Sequence, residues 1–210
     1  MSAPRLVLAT RNAHKVVELR RILADAGLGD VEVLGMDTFP EVPDVAETGV
    51  TFAENALLKA RAVAAATGLP AVADDSGVCV AVLGGAPGVF SARWSGRHGD
   101  DRANLELLLA QIADVPDEHR GGWFACSAAV VVPGAPDGGR EHVAEGRLDG
   151  VVVREPRGTN GFGYDPVFVP AGDTRTLAEY APDEKDAISH RGRAFRALAP
   201  AVLAALASTP

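Results

Sequence analysis

Only two cysteines, Cys79 and Cys126, occur in 210 residues, each in an apolar stretch, "GVCVAVL" and "WFACSAAVVV". Without CxxC spacing the pair is no metal signature, and it points to buried free thiols in a reducing compartment. Long apolar runs are lacking too: no stretch approaches the ~18 continuous residues of a membrane span. The opening "MSAPRLVLAT" has no extended apolar core followed by a small-residue cleavage site. A soluble, cytoplasmic protein is the expectation. Basic charge is also short, with Lys+Arg at 20 against Asp+Glu at 28 and a formal net charge of −8. That balance opposes polymeric nucleic acid as a partner, because such binding needs clustered cations to replace counterions. A small anionic substrate stays open if cations are concentrated locally. Neither GxxxxGK[ST] nor GxGxxG is found, which removes the two commonest phosphate-loop signatures.

What is present is the composition of a folded protein. Apolar residues make up 47%, charged residues 23%, and there are 23 glycines. The length suits one sizeable core, so a single domain over 1–210 is expected. "RLVLAT" (Arg5 to Thr10) has the pattern of a strand. The segment after it carries Val16, Leu19, Ile22 and Leu23 at helical spacing and stops at Gly27. A strand "VEVLG" leads through a Pro-rich stretch to "TFAENALLKARAVAAATG", an alanine-rich helix ending at Gly68. Strand "AVAD" follows, and then "VCVAVL", a helix at about "DRANLELLLAQIAD", strands "WFACSAAVVV" and "HVAEGRLDGVVV", and a closing helix from roughly Arg191 to Ala207. Alternating strands and helices followed by hairpin-like strands predict an α/β protein with a mixed sheet.

Four stretches carry candidate chemistry. "TRNAHK", Thr10 to Lys15, lies where a strand gives way to a helix, so backbone N–H groups and the positive helix end can face an anion, with Asn12 and Lys15 adding a donor and a charge. Asn12 could equally cap the helix, with Lys15 solvated. "AVADDSG" places Asp74 and Asp75 side by side where the chain is expected to turn. A cation resolves their repulsion: Mg²⁺ is usually held by one or two carboxylates plus substrate phosphates, with Glu47 of "AETG" as a second carboxylate and Asp75 able to accept a proton from water. Both aspartates could instead be turn formers. In "GTNGFGYDP" three glycines surround Phe162 and Tyr164, which suits either a flat ligand or a glycine-rich hairpin with core aromatics. "DEKDAISHRG" brings Lys185, His190 and Arg191, donors suited to phosphate or keto oxygens, with capping and ion pairing as the alternatives.

"LATRNAHKVVEL", "ETGVTFAENALLKA", "ADDSGVCVAVLGGAPGVFSARWSG", "GFGYDPVF" and "EKDAISHRG", in that order from Leu6 to Gly192, together resemble the inosine/xanthosine triphosphate pyrophosphatase family. The resemblance implies a Mg²⁺-dependent homodimer that converts ITP, dITP or XTP to the monophosphate and pyrophosphate. It also implies an elongated mixed sheet flanked by helices, in two lobes with a central cleft. On this resemblance Thr10, Arg11, Asn12, Ala13, His14 and Lys15 bind the triphosphate. Asp75 is metal ligand and proton acceptor, Glu47 a second metal ligand, and Ser76 a substrate contact. Phe162, Gly163, Tyr164, Asp165, Lys185, His190 and Arg191 recognise the nucleotide. Some relatives carry a further acid where this chain has Ala46. Donors from Lys185, His190 or Arg191 would meet the 6-keto acceptor of hypoxanthine or xanthine, whereas the amino group of adenine would leave donor facing donor. A pyrophosphatase for modified pyrimidine nucleotides would share the acids and the phosphate segment. A nucleotide-sensing module would have no use for Asp75 and Glu47 near Lys15.

Overall fold

The computed structural model describes residues 3–11, 13–134 and 140–207. Its strands are β1 (Arg5–Leu8), β2 (Glu32–Leu34), β3 (Ala71–Val80), β4 (Gly121–Val132), β5 (Arg140–Val152) and β6 (Phe168–Pro170). Its helices are α1 (Ala13–Asp25), α2 (Phe52–Thr67), α3 (Asp101–Gln111), α4 (Pro182–Ile188) and α5 (His190–Leu206). The strands form one sheet in the order β2-β1-β3-β4-β5-β6. β1 pairs in parallel with β2 and β3, and β5 pairs antiparallel with β6, so the sheet is mixed as the alternation of elements predicts. Among the described residues no helix is long and apolar enough to cross a membrane.

Two compact units divide the chain. One comprises Met1–Asp75, Cys126–Gly146 and Arg191–Pro210, and the other Ser76–Ala125 and Arg147–His190. In the first unit, strand alternation sorts side chains into two cores. Leu6, Leu8, Val72, Ala128 and Val130 pack with Leu19 and Leu23 of α1 and Phe195 and Leu198 of α5. Their neighbours Val7, Ala71, Ala73, Ala129 and Val131 face the other way, against Ala56, Ala60, Val63 and Ala64 of α2. A period of two in the strands thus meets two helical stripes of opposite aspect. α2 is closed at both ends by its own sequence: Thr51 and Glu54 form a reciprocal capping box, and Gly68 takes the left-handed conformation at φ 68°. The second unit has its own core of Val78, Val80, Leu108, Ile112, Phe124, Val152, Phe168 and Leu177.

Three features depart from the sequence expectation. β3 is one continuous strand of 10 residues, so "AVAD" and "VCV" are its two ends, the remaining Ala81–Leu83 of the expected strand "VCVAVL" form a 3-10 turn, and the aspartates lie within the strand instead of at a turn. The strand can continue because each carboxylate finds a compensating partner, described below. The short β6 and α4 were not foreseen. A strand of 3 residues such as β6 owes its form to its neighbour β5 and shows no periodicity of its own. Cys79 and Cys126 are free and buried, and burial pushes the Cys79 thiol up to about 11.

Candidate active site

Within β3, alternation sends Asp74 to the face shared by Val72 and Asp75 to the face shared by Ala73. Asp74 therefore looks toward α1 and α5, and each supplies a cation. Lys15 Nζ donates to both carboxylate oxygens at 2.9 and 2.8 Å, and Arg191 Nε donates to Oδ2 at 3.2 Å. Both helices begin with no acid in their first turn, and Lys15 and Arg191 sit near their positive ends. Asp74 thus offsets two helix termini and two side-chain cations together. Burial alone would raise its carboxyl. The charges of Lys15, Arg191 and Lys59 outweigh burial and hold Asp74 well below the usual carboxylate range.

Asp75 looks toward α2, where residues four apart share a face. Asn55 Nδ2 donates to Asp75 Oδ2 at 3.0 Å, while Lys59 Nζ lies 3.5 Å from Oδ1. The same ammonium donates to Glu47 Oε1 at 2.6 Å. Asn55 is fully buried and uses both ends of its amide, its Oδ1 accepting from Gly49 N at 2.8 Å. That bond ties the "ETG" segment, and with it Glu47, to the helix that faces Asp75. Gly49 is needed there, since a Cβ would come within 2.7 Å of Glu54 and 2.8 Å of the Asn55 oxygen. Burial raises the Asp75 carboxyl, opposed by Lys59 and Asn55 and reinforced by Glu47 and Asp74, with a net upward shift. Lys59 is raised despite its burial, because Asp75, Asp74 and Glu47 surround it. It stands as an ammonium between two carboxylates.

Among the described residues no group of three or more His, Cys, Asp or Glu is placed to hold a metal. The donor set still fits Mg²⁺. One ammonium nitrogen lies within 3.5 Å of oxygens from both Glu47 and Asp75, so these two carboxylates already address a single cation. Two carboxylates are what Mg²⁺ takes when phosphates complete its shell.

Of the other residues singled out in the sequence, Arg11 is exposed and anchored to the segment after β2. Its guanidinium donates to Asp44 Oδ1 at 3.0 Å, Val42 O at 3.0 Å and Met36 O at 3.3 Å. Thr10 is half-buried ahead of α1. Asn12 and the side chains of Ala13 and His14 lie outside the described residues. Ser76, next in the chain to Asp75, is half-buried and belongs to the second unit.

The second unit brings together Phe162, Asp165 and Lys185. Asp165 Oδ2 accepts from Lys185 Nζ at 2.5 Å and from Phe162 N at 2.8 Å, and the ammonium lies 5.1 Å from the Phe162 ring centroid. Gly161, at φ 77°, is required there, because a Cβ would run into Asp165 and Lys185. Phe162 is 52% exposed, whereas Tyr164 is 4% exposed and its hydroxyl donates to Ser91 O at 2.9 Å. The segment thus divides its aromatics: one ring is presented to solvent and the other joins the core. Gly163 N donates to Asp101 Oδ2 at 2.9 Å, fixing the loop to the start of α3. His190 is buried and stacks on Phe124 with centroids 4.7 Å apart and planes 13° from parallel. Phe124 is held edge-on by Phe168.

Asn55, Lys59 and Phe124 were not found from the sequence. For the first two a signal existed: in "ENALLKA" a polar pair at i and i+4 interrupts the stripe of Ala56, Ala60 and Val63, which marks a buried polar contact. Phe124 gave none, being one apolar residue in an apolar strand.

The profile of the Ham1 family matches residues 6–201. A dITP/XTP pyrophosphatase of Streptomyces avermitilis is 67% identical over 198 residues, covering 94% of this chain and 96% of that relative. One of Nocardia farcinica is 58% identical over 207 residues, covering 99% and 98%. Among solved structures, the nucleoside-triphosphatase / dITP/XTP pyrophosphatase of Mycobacterium abscessus superposes with a TM-score of 0.76 at 53% identity, covering 94% of this chain and 99% of that one. A HAM1 protein from Coxiella burnetii gives a TM-score of 0.85 at 40% identity, covering 95% and 98%. With its two buried acids compensated from different helices, Asp74 from α1 and α5 and Asp75 from α2, and with such likeness along nearly its full length, the chain belongs to the Ham1 family.

Proposed function

We infer that this chain is a nucleoside triphosphate pyrophosphatase that hydrolyses non-standard purine nucleotides (dITP, ITP, XTP) between the α and β phosphates, releasing the monophosphate and pyrophosphate. The observation that carries the reading is the Asp75 carboxylate, held on one oxygen by Asn55 and sharing the Lys59 ammonium with Glu47. A buried acid with a raised pKa is a better proton acceptor than an exposed one, and here its direction is fixed. The names of the relatives supply the substrate class.

The chemistry divides among the residues as follows. Asp75 orients the attacking water in line with the scissile anhydride and takes its proton. Glu47 and Asp75 are the groups that would hold Mg²⁺, which supplies charge neutralisation for the pyrophosphate leaving group. Lys15, fixed by Asp74, offers positive charge at the start of α1, where Thr10 to Lys15 are proposed to meet the phosphates. Phe162 offers the ring face and Lys185, aligned by Asp165, the donor for base recognition. His190 and Arg191 complete the proposed nucleotide-recognition set, with Ser76 as a further substrate contact. The resemblance further supports a homodimer, a cytoplasmic location and one activity for the whole of 1–210. Light scattering tests the first of these.

The test is pyrophosphate release from a panel of ITP, dITP, XTP, ATP, GTP, dUTP and dTTP, with and without Mg²⁺, on the wild type and on Asp75→Asn. Release from ITP, dITP and XTP, dependent on Mg²⁺ and reduced at least ~100-fold in kcat with little change in KM for Asp75→Asn, is expected. Preference for dUTP or dTTP would replace the purine reading with a pyrimidine one. Unchanged turnover in Asp75→Asn would remove Asp75 from the chemistry.

A further inference from the structure

We propose that Lys59 is a place-holding cation: its ammonium occupies the position between Glu47 and Asp75 in the metal-free protein and leaves those oxygens when a divalent cation takes them. The proposal rests on the assignment of Glu47 and Asp75 as metal ligands. It goes beyond that assignment by giving the metal-free state a defined occupant and a consequence.

The geometry points to exchange and not to coexistence. Lys59 Nζ is 2.6 Å from Glu47 Oε1 and 3.5 Å from Asp75 Oδ1, a separation typical of a charge-assisted hydrogen bond in the first case. A divalent cation bridging the same carboxylates would sit about 2.0–2.1 Å from each of its oxygens. An ammonium cannot donate to those same oxygens from the same side, and two cations at such separation repel strongly in a partly buried setting. The Lys59, Glu47 and Asp75 side chains are 16%, 22% and 10% exposed, so water screens them little. The other acid of the pair cannot take up the displaced charge, because Asp74 already carries Lys15 and Arg191 on the opposite face of β3. The other oxygen of Asp75 is also committed, to Asn55.

Two consequences follow. Half of the charge of the two carboxylates is offset without metal, which lowers the cost of holding them together in the unloaded fold. Free metal alone binds weakly, because it must displace an internal competitor, whereas a metal already carried by a nucleotide triphosphate brings added contacts to offset that displacement.

The test measures metal without nucleotide, so it has a readout separate from turnover. Mn²⁺ binding to the nucleotide-free protein is followed by electron paramagnetic resonance, and Mg²⁺ binding by calorimetry, for wild type, Lys59→Met, Lys59→Gln and Lys59→Arg, each checked for folding by circular dichroism. Lys59→Met and Lys59→Gln should bind about tenfold or more tightly than wild type, and Lys59→Arg no more tightly. Pulse acetylation of the wild type, read by mass spectrometry, should find Lys59 protected without metal and labelled once Mg²⁺ is added. Unchanged or weaker metal binding by both neutral variants, or labelling of Lys59 indifferent to Mg²⁺, overturns the proposal. Glu47→Gln and Asp75→Asn separate this failure from that of the metal assignment. If they leave Mn²⁺ binding intact, the ligands are elsewhere and both readings fall. If they abolish it while Lys59→Met gains nothing, only the place-holding role falls.

Discussion

Asp74 and Asp75 are adjacent, yet their environments differ because a strand turns successive side chains to opposite faces. Asp74 faces two cations and is held ionised, while Asp75 faces one shared ammonium and an amide and is held with a raised pKa. The first serves structure and the second is suited to chemistry. Replacing Asp74 by Asn leaves the buried Arg191 and the half-buried Lys15 beside a neutral group, and breaking a buried pair costs about 3–5 kcal/mol. That is a large share of the ~5–15 kcal/mol by which a domain is stable. Because Asp74 is ionised more readily when folded, its contribution is complete above the ordinary aspartate value of about 3.9 and fades as the pH falls toward its lower folded value. Urea unfolding of wild type and Asp74→Asn should therefore differ most at pH 6–8, and the gap should narrow below pH ~4. A gap that does not change with pH would show that the ion pairs contribute nothing through charge.

α2 carries both partners of Asp75, so the integrity of its first turn matters to the site. Thr51 accepts from Glu54 N at 3.1 Å, and Glu54 Oε2 accepts from Thr51 N at 3.1 Å and from Val50 N at 2.7 Å. Thr51→Ala should cost about 0.5–2 kcal/mol and lower the melting temperature by a few degrees, read by differential scanning calorimetry. A melting temperature equal to wild type would mean the cap is dispensable. This helix was legible from the sequence because its start and stop are local: Thr51 with Glu54 at one end, Gly68 at the other. β3 was legible as strand but not in its length, because Asp-Asp-Ser-Gly has the local chemistry of a turn. What overrides that tendency comes from residues 15, 55, 59 and 191, remote in the chain and brought near only by packing. α4 and β6 were missed for a related reason: each is too short to show a period.

For the whole molecule, the acidic balance and the local cations divide the labour. A chain of net charge −8 has to concentrate cations locally to meet an anion, and the first unit gathers Lys15, Lys59 and Arg191 around Asp74 and Asp75. Ligand that binds the folded state alone stabilises it by about 2.7 kcal/mol at a hundredfold excess over Kd. For a chain of this size that amounts to a rise of roughly 5–10 °C in melting temperature. A non-hydrolysable ITP analogue with Mg²⁺ should produce such a rise in differential scanning fluorimetry, while the matching ATP analogue should leave the protein near its unliganded value. Equal shifts with both would remove base discrimination at the binding step. The fold class and the order of the motifs were visible in the sequence, whereas the division of duties between the two aspartates was not, since it depends on which face of a strand each occupies.

The two-faced acid pair also guards the sheet against misalignment. Were β3 to slip by one residue so that Asp75 took the position of Asp74, Asp74 would be presented where Ala73 meets the alanine face of α2, while Val72 and Ala73 would trade cores. A buried carboxylate stranded opposite methyl groups is far costlier than an ill-fitting valine. The same residues that prepare the protein for a charged substrate thus weigh against that mispairing of its central strand during folding.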